Sequence, residues 1–206
     1  MLNKWNLPSA TNRLMKQAAL SLTLGLAVSM TVGVTAALAA SPPAEAQSSY
    51  TAQQVSMLGG KLSVNVPAGF VKDPTPIDPR ATALGMTGAN YLNKAEKSVL
   101  ITGQVPLATA VDSDNDETAL NGLLTGTALQ QRTDYQDYKK LGEKSIVKAS
   151  GLGLRQLDAS FIAGGKPMLA TTVAAASGTQ SAVVTVITNA DNPKGHAALV
   201  KTVTGE

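Results

Sequence analysis

Few side chains of this 206-residue chain could perform catalytic chemistry. Cysteine is absent and His196 is the only histidine, which excludes thiol nucleophiles and histidine-rich zinc sites. His196 is also the only side chain with an ordinary pKa near neutrality, and it lies beside Gly195 near the start of a short predicted helix. No serine stands in a nucleophile-elbow context that could use this base. We therefore interpret His196 as an ordinary surface or helix-face residue.

Asp158 is the second candidate, because it lies inside a predicted strand at 154–162. A catalytic carboxylate there would need a partner, such as a nearby lysine or serine, and the sequence does not place one. We interpret Asp158 as facing solvent. The sequence thus predicts a protein that is not an enzyme, without catalytic residues.

The acidic run from Asp112 to Asp116 resembles the start of a calcium loop. Glu117 stands where the loop requires glycine, and Leu123 stands where it requires a bidentate glutamate. Helix capping explains the same residues. The glycines of Gly151-Leu152-Gly153 are not followed by the remainder of a dinucleotide loop and predict a turn. We therefore expect no metal site and no cofactor.

Two segments could serve as contact surfaces. Tyr135 and Tyr138 follow a predicted helix and form either an exposed patch or, the interpretation we favour, packing at the helix-to-strand connection. Residues 67–80 contain four prolines, which predicts an extended surface loop that cannot join a sheet. This loop is the most plausible contact element, and a plain surface crossing is the alternative.

The scaffold that must position these residues is predicted to be an α+β domain, an antiparallel sheet layered with helices. The strand at 180–188 is apolar on both faces, so it should be central. A cap at Asp114 or Asn115 starts the first helix, and Asp191 or Asn192 caps the last one before Pro193. The predicted elements are strands at 61–66, 83–92, 98–105, 144–149, 154–162, 167–175 and 180–188, with helices at 116–132 and from 193 onward.

The helix at 116–132 has an apolar stripe at helical spacing, formed by Leu120, Leu123, Leu124 and Ala128. Gly122 and Gly126 lie four residues apart, and we expect them to let this helix lie close on the sheet.

The first residues predict export. A basic start with Lys4, Arg13 and Lys16 precedes an uncharged stretch at 18–40 and small residues at two cleavage sites, which is the order of a secretory signal. We predict a signal peptide at 1–39, with cleavage possible as late as residue 46, and a periplasmic mature protein. The alternative is an uncleaved leader that anchors the chain in the membrane.

Removal of the leader takes away three basic residues and leaves a mature chain with balanced charge. The mature chain then has no excess of positive charge that would attract nucleic acid. Residues 40–56 are rich in Ser, Ala, Pro and Gln and predict a flexible leash, followed by a single domain at 57–206. Its oligomeric state is open, and a homodimer is possible.

The order of several short motifs resembles the DcrB family of enterobacterial envelope proteins. These motifs are Gly60-Lys61-Leu62-Ser63 running to Pro67-Ala68, the helix at 116–132, and Gln156-Leu157-Asp158 before a glycine-turn hairpin. The resemblance covers roughly residues 57–205. It implies a PsbP-like fold and a non-enzymatic periplasmic role in envelope integrity and in phage and colicin entry, with an envelope protein as partner.

One departure from the family concerns the membrane. Family members carry a lipoprotein cysteine after the leader, and this chain has none, which puts membrane tethering in doubt. An alternative function is that of a carrier for a small apolar or lipid ligand, which a dry cavity between the helix at 116–132 and the sheet would support.

Overall fold

The computed structural model describes residues 52–205. The predicted signal peptide, its cleavage sites, the membrane-anchor alternative and the leash up to residue 51 therefore lie outside the described residues. Within residues 52–205, no helix is both long and apolar enough to cross a membrane.

The described chain forms a two-stranded hairpin, a seven-stranded antiparallel sheet and three helices. The large sheet has the order β3-β4-β5-β9-β8-β7-β6. The predicted α+β class with an antiparallel sheet is confirmed. The elements are β1 (Gln53–Met57), β2 (Leu62–Val66), β3 (Val71–Lys72), α1 (Pro79–Ala83), β4 (Thr87–Asn93), β5 (Ser98–Pro106), α2 (Glu117–Asp134), β6 (Gln136–Val147), β7 (Gly153–Ala163), β8 (Lys166–Ser177), β9 (Gln180–Asn189) and α3 (Pro193–Thr204).

The first elements depart from the predicted layout. β1 occupies residues that we assigned to the flexible leash, because it pairs along its whole length with β2. The proline-rich segment 67–80 is not one extended loop: β3 pairs with the edge of β4, and Asp78 caps α1 with Pro79 at its first position. The strand expected from residue 83 accordingly begins at Thr87.

The predicted central strand is confirmed, since β9 is the fourth of seven strands and pairs with β5 and β8. The glycine turn between β7 and β8 is also confirmed: Gly164 and Gly165 both have positive φ, at 57° and 73°, which side-chain-bearing residues rarely adopt. β6 starts much earlier than predicted. Most of its residues are exposed, so it lacks the apolar alternation that marks a strand in sequence.

Helices cover both faces of the sheet. α3 contacts β8, β9 and the hairpin strand β2, and we call this side the α3 face. α2 contacts β6, β7 and β8 from the opposite side, the α2 face. The main core lies on the α3 face under the hairpin, and its fully buried members include Leu62, Val64, Val66, Leu154, Val184 and Val203.

α2 begins one or two residues later than the predicted caps. Its N-cap is Asp116, whose Oδ1 accepts from the backbone N–H of Ala119 at 2.9 Å. The expected close approach at Gly122 and Gly126 is wrong, because a Cβ atom at either position would meet nothing within 4 Å. The helix instead buries Leu120, Leu124, Thr127 and Gln131 against the sheet.

Candidate functional site: a groove beneath the C-terminal helix

A groove of about 530 Å³ lies on the α3 face, between α3 and the strands β6, β7 and β8. It is the strongest candidate for a functional site in the described chain, because polar, charged and apolar side chains converge on it. We call it the α3 groove. Its lining residues are Leu141, Gly142 and Lys144 of β6, Gln156, Asp158 and Ala159 of β7, Leu169, Ala170 and Thr171 of β8, and Pro193, His196, Ala197, Val200, Lys201 and Thr204 of α3.

A missing side chain opens this groove. Gly142 pairs with Asp158 across β6 and β7, and a Cβ atom at Gly142 would meet no atom of residues 52–205 within 4 Å. The register of β6 shifts between Lys140 and Gly142, and Leu141, which lies within this irregularity, is 59% exposed at the groove wall. No other side chain of the described residues occupies the space at position 142 beside Asp158, and a larger residue there would narrow the groove.

The floor of the groove is a chain of hydrogen bonds centred on Asp158. Gln156 donates through its side-chain amide to both carboxylate oxygens of Asp158, at 3.0 Å each. The hydroxyl of Thr171 on β8 donates to Oδ1 of the same carboxylate at 2.5 Å, as short as charge-assisted hydrogen bonds become. The interpretation of Asp158 as facing solvent is therefore wrong. It is half-buried and held by two neighbours.

His196 completes this chain from the helix side. It lies in the first turn of α3, and its Nε2 lies 2.8 Å from the hydroxyl of Thr171, while its Nδ1 lies 2.9 Å from the hydroxyl of Thr188. The side chain is on a helix face, as expected, but it is buried rather than on the surface. The sequence did not indicate the threonines that hold it.

The hydrogen bonds and the burial of His196 together favour its neutral form. Thr171 has one hydroxyl proton, which it donates to Asp158, so its oxygen accepts from Nε2–H of His196. The hydroxyl of Thr188 has two acceptors in reach, the backbone carbonyl of Asn189 at 3.3 Å and Nδ1 at 2.9 Å. The shorter contact favours donation to Nδ1, which corresponds to the neutral imidazole. Burial lowers the pKa of His196 below its ordinary value, although the nearby charge of Asp158 opposes this shift. The α3 groove therefore favours an uncharged histidine beside the carboxylate of Asp158.

This order of groups does not match that of a nucleophilic triad. In such a triad the imidazole stands between the hydroxyl and the carboxylate and accepts the hydroxyl proton. Here Thr171 stands between Asp158 and His196, and the imidazole donates to it. The hydroxyl is thus not activated as a nucleophile in this arrangement.

The walls of the α3 groove differ in character from its floor. Leu141, Leu169 and Val200 contribute apolar surface from three different elements. Lys144 of β6 and Lys201 of α3 also line the groove and carry positive charges. The site therefore offers an acidic floor, basic residues on two walls and an apolar surface within one space.

The acidic run 112–116 has structural roles. Asp114 accepts from Lys61 at 2.7 Å and from Ser177 at 2.7 Å, and these two donors lower the pKa of its carboxyl group. Asp116 caps α2. Among residues 52–205, no group of three or more His, Cys, Asp and Glu side chains is arranged to hold a metal ion.

The remaining candidates are also structural. Gly151 lies in a turn, as predicted, whereas Gly153 already begins β7 and lies against Asn115, and Leu152 between them is buried. Tyr135 stacks on Phe161 with ring centroids 4.0 Å apart, which confirms the packing interpretation for this tyrosine. Burial raises the pKa of Tyr135 to about 12.

Sequence reasoning did not assign Gly142, Gln156 and Thr171 to a site, nor Thr188, which contacts His196. One signal was available: alternation in β7 correctly placed Gln156 and Asp158 on one face, opposite the buried Leu157, Ala159 and Phe161. It could not show that α3 covers this face.

No protein-family model matches the chain, and no curated protein matches its sequence. Among solved structures, it resembles the cyanobacterial PsbP protein CyanoP from Synechocystis sp. PCC 6803, at 14% identity and a TM-score of 0.50 over 81% of this chain and 95% of that one. It also resembles LpqN, described as involved in cell envelope biogenesis of Mycobacterium tuberculosis, at 12% identity and a TM-score of 0.45 over 75% of this chain and 89% of that one. The likeness to CyanoP shows a PsbP-like fold.

Proposed function

We propose that this protein is a non-catalytic binding protein of the bacterial cell envelope that holds its ligand in the α3 groove. The observation that supports binding is the groove itself, whose floor groups hydrogen-bond to one another in an order unsuited to nucleophilic catalysis. Support for the envelope comes from the leader pattern at 1–39 and from the resemblance to the DcrB family.

The α3 groove favours the carrier alternative over a protein partner. Its volume of about 530 Å³ lies within the range of roughly 300–1,000 Å³ that is usual for small-molecule sites. It lies under α3, not between α2 and the sheet, where we expected a carrier cavity. The roles in phage and colicin entry depend on the family resemblance alone and stay predictions.

Cross-linking in cells tests whether the α3 groove is occupied. A photoreactive residue replaces Leu141 at the groove wall, and the matched control carries it at Leu129 on α2, since these leucines are 59% and 60% exposed. We expect an adduct at position 141 that is absent at position 129 and is lost when Gly142→Val narrows the groove beside Asp158. Equal adducts at the two positions, or an adduct at position 141 that Gly142→Val leaves unchanged, would contradict the proposal.

Cell fractionation with intact-mass measurement tests the location. A mass that matches cleavage after Ala39 or Ala46, in the periplasmic extract, is the expected result. A full-length mass in the membrane fraction would support the anchored alternative, and retention in the cytoplasm would overturn the envelope assignment.

A further inference from the structure

We propose that the α3 groove binds a zwitterionic amphiphile, whose head carries a primary ammonium group for Asp158 and a phosphate for Lys201, and whose hydrocarbon chain lies on the apolar wall. This inference rests on the proposed function, because it names the ligand of the same site. It follows from three properties of the lining: a carboxylate with spare acceptor capacity, lysines on separate walls, and an exposed apolar surface.

The first property concerns Asp158. Among the described residues, its Oδ1 accepts from Gln156 and Thr171, whereas its Oδ2 accepts from Gln156 alone. A carboxylate oxygen has two lone pairs, so Oδ2 retains capacity for another donor. The empty space at Gly142 adjoins this carboxylate across the strand pair. A primary ammonium group, with a positive charge and three donors, fits this position.

The second property concerns the opposite charge. Lys201 lines the groove from the last turns of α3, five residues after His196, which is a rise of about 7.5 Å along the helix. Lys144 lines it from β6. Burial lowers the pKa of His196 below its ordinary value, so the charged groups named here are Asp158 on the floor and the lysines on the walls. A head group that carries both a positive and a negative charge matches this lining. A purely anionic head group would place its negative charge near that of Asp158.

The third property is the apolar wall. Leu141 is largely exposed, and Leu169 and Val200 line the same space from β8 and α3. A hydrocarbon chain that covers these side chains removes apolar surface from water, which stabilises the complex in proportion to the area covered. The head alone would leave this surface exposed, so we commit to a ligand with both a head and a chain.

The test uses the protein purified as cells produce it and three defined probes below their micellar concentrations. These probes are a short-chain lysophosphatidylethanolamine, the lysophosphatidylcholine of the same chain length, and soluble O-phosphoethanolamine. The choline head keeps the positive charge but has no N–H to donate to Asp158. Since His196 is the only histidine, its imidazole NMR signals report occupancy without ambiguity.

We expect the ethanolamine lipid to bind about tenfold or more tightly than the choline lipid, because a charge-assisted hydrogen bond is lost in the latter. O-phosphoethanolamine should bind more weakly than the lipid, since it lacks a chain. Tighter binding of the soluble head than of the lipid would overturn the amphiphile. Equal affinity for the two lipids would overturn the ammonium–carboxylate contact.

Variants locate the site. Asp158→Asn should abolish the preference for the ethanolamine lipid over the choline lipid. Lys201→Gln should weaken the binding of both lipids by a similar factor. Gly142→Val should abolish binding, whereas Gly122→Val on α2, where a Cβ atom also meets nothing within 4 Å, should leave it unchanged. Circular dichroism confirms that each variant is folded. Lipid binding that persists in Gly142→Val would place the ligand elsewhere and overturn the inference.

The two proposals fail separately. A groove-specific adduct in cells with no binding of either lipid leaves the binding function standing and rejects this ligand. A cross-linked polypeptide in place of a lipid would likewise reject the amphiphile. Absence of any groove-specific adduct, together with absence of lipid binding, would overturn both.

Discussion

His196 is a buried imidazole whose two nitrogens are both occupied by threonine hydroxyls. Its burial lowers its pKa in the folded protein, whereas in the unfolded chain the value is about 6.5. Between these two values the unfolded chain binds more protons, so we predict that the free energy of unfolding falls as the pH drops from about 6.5 through the folded pKa. Above pH 6.5 this contribution is fully present.

An NMR titration of the single histidine and urea denaturation between pH 5 and 8 measure this effect. The control is His196→Gln, which removes the titrating group, so the difference between the two proteins isolates it from the carboxylates. A folded pKa above that of the denatured chain would contradict the prediction.

Thr171 links the carboxylate of Asp158 to the imidazole of His196, and it is 2% exposed. Thr171→Val keeps the shape of the side chain but leaves the half-buried Asp158 and the buried His196 each without one hydrogen-bond partner. We predict a loss of about 1–3 kcal/mol in the free energy of unfolding. Thr125→Val, at an exposed position of α2, should change it by less than about 0.5 kcal/mol, and equal effects in urea denaturation would show that the bridge contributes nothing.

At the scale of elements, α3 depends on its N-cap to hold His196 over the sheet. The side chain of Asn192 accepts from the backbone N–H of Gly195 at 3.0 Å. We predict that Asn192→Ala lowers the free energy of unfolding by about 1 kcal/mol. Asp191→Ala tests the other cap that the sequence allowed, and it should have little effect. Thermal denaturation measures both variants. If Asp191→Ala lowers the melting temperature more than Asn192→Ala does, Asp191 is the N-cap.

The long elements could be predicted from sequence because their patterns are strong. β7 shows strict alternation, β9 is apolar on both faces, and α2 shows helical spacing of leucines. β1, β3 and most of β6 were missed for one physical reason. Each lies at a sheet or hairpin edge with exposed side chains, so backbone pairing, and not a buried face, determines its conformation.

The α3 groove could not be predicted because it depends on register and helix placement. That Gly142 pairs with Asp158 follows from an irregularity in β6, and that His196 meets Thr171 follows from where α3 crosses β8. Single-sequence patterns carry neither fact. They correctly indicated a shared face for Gln156 and Asp158, and no more.

At the scale of the whole molecule, the β1–β2 hairpin is an integral part of the core. Leu62, the first residue of β2, is fully buried. Between the two hairpin strands, the backbone N–H of Leu58 donates to the Gln104 side chain on β5. We predict that Leu62→Ala lowers the free energy of unfolding by about 2–5 kcal/mol in one cooperative transition. Leu129→Ala on the exposed side of α2 should change it by less than about 0.5 kcal/mol.

Urea denaturation followed by both far- and near-ultraviolet circular dichroism measures these changes. Two separate transitions, or a small effect of Leu62→Ala, would show that the hairpin folds independently of the large sheet.

The central position of β9 has a consequence for how the protein is made. Its segment from Ala182 to Ile187 is uncharged, free of proline and rich in valine, a composition prone to aggregate when left unpaired. Both of its neighbours, β5 and β8, precede it in the chain, so they are already synthesised when β9 follows. Chain order thereby shortens the time for which the most aggregation-prone strand of the sheet lacks its partners.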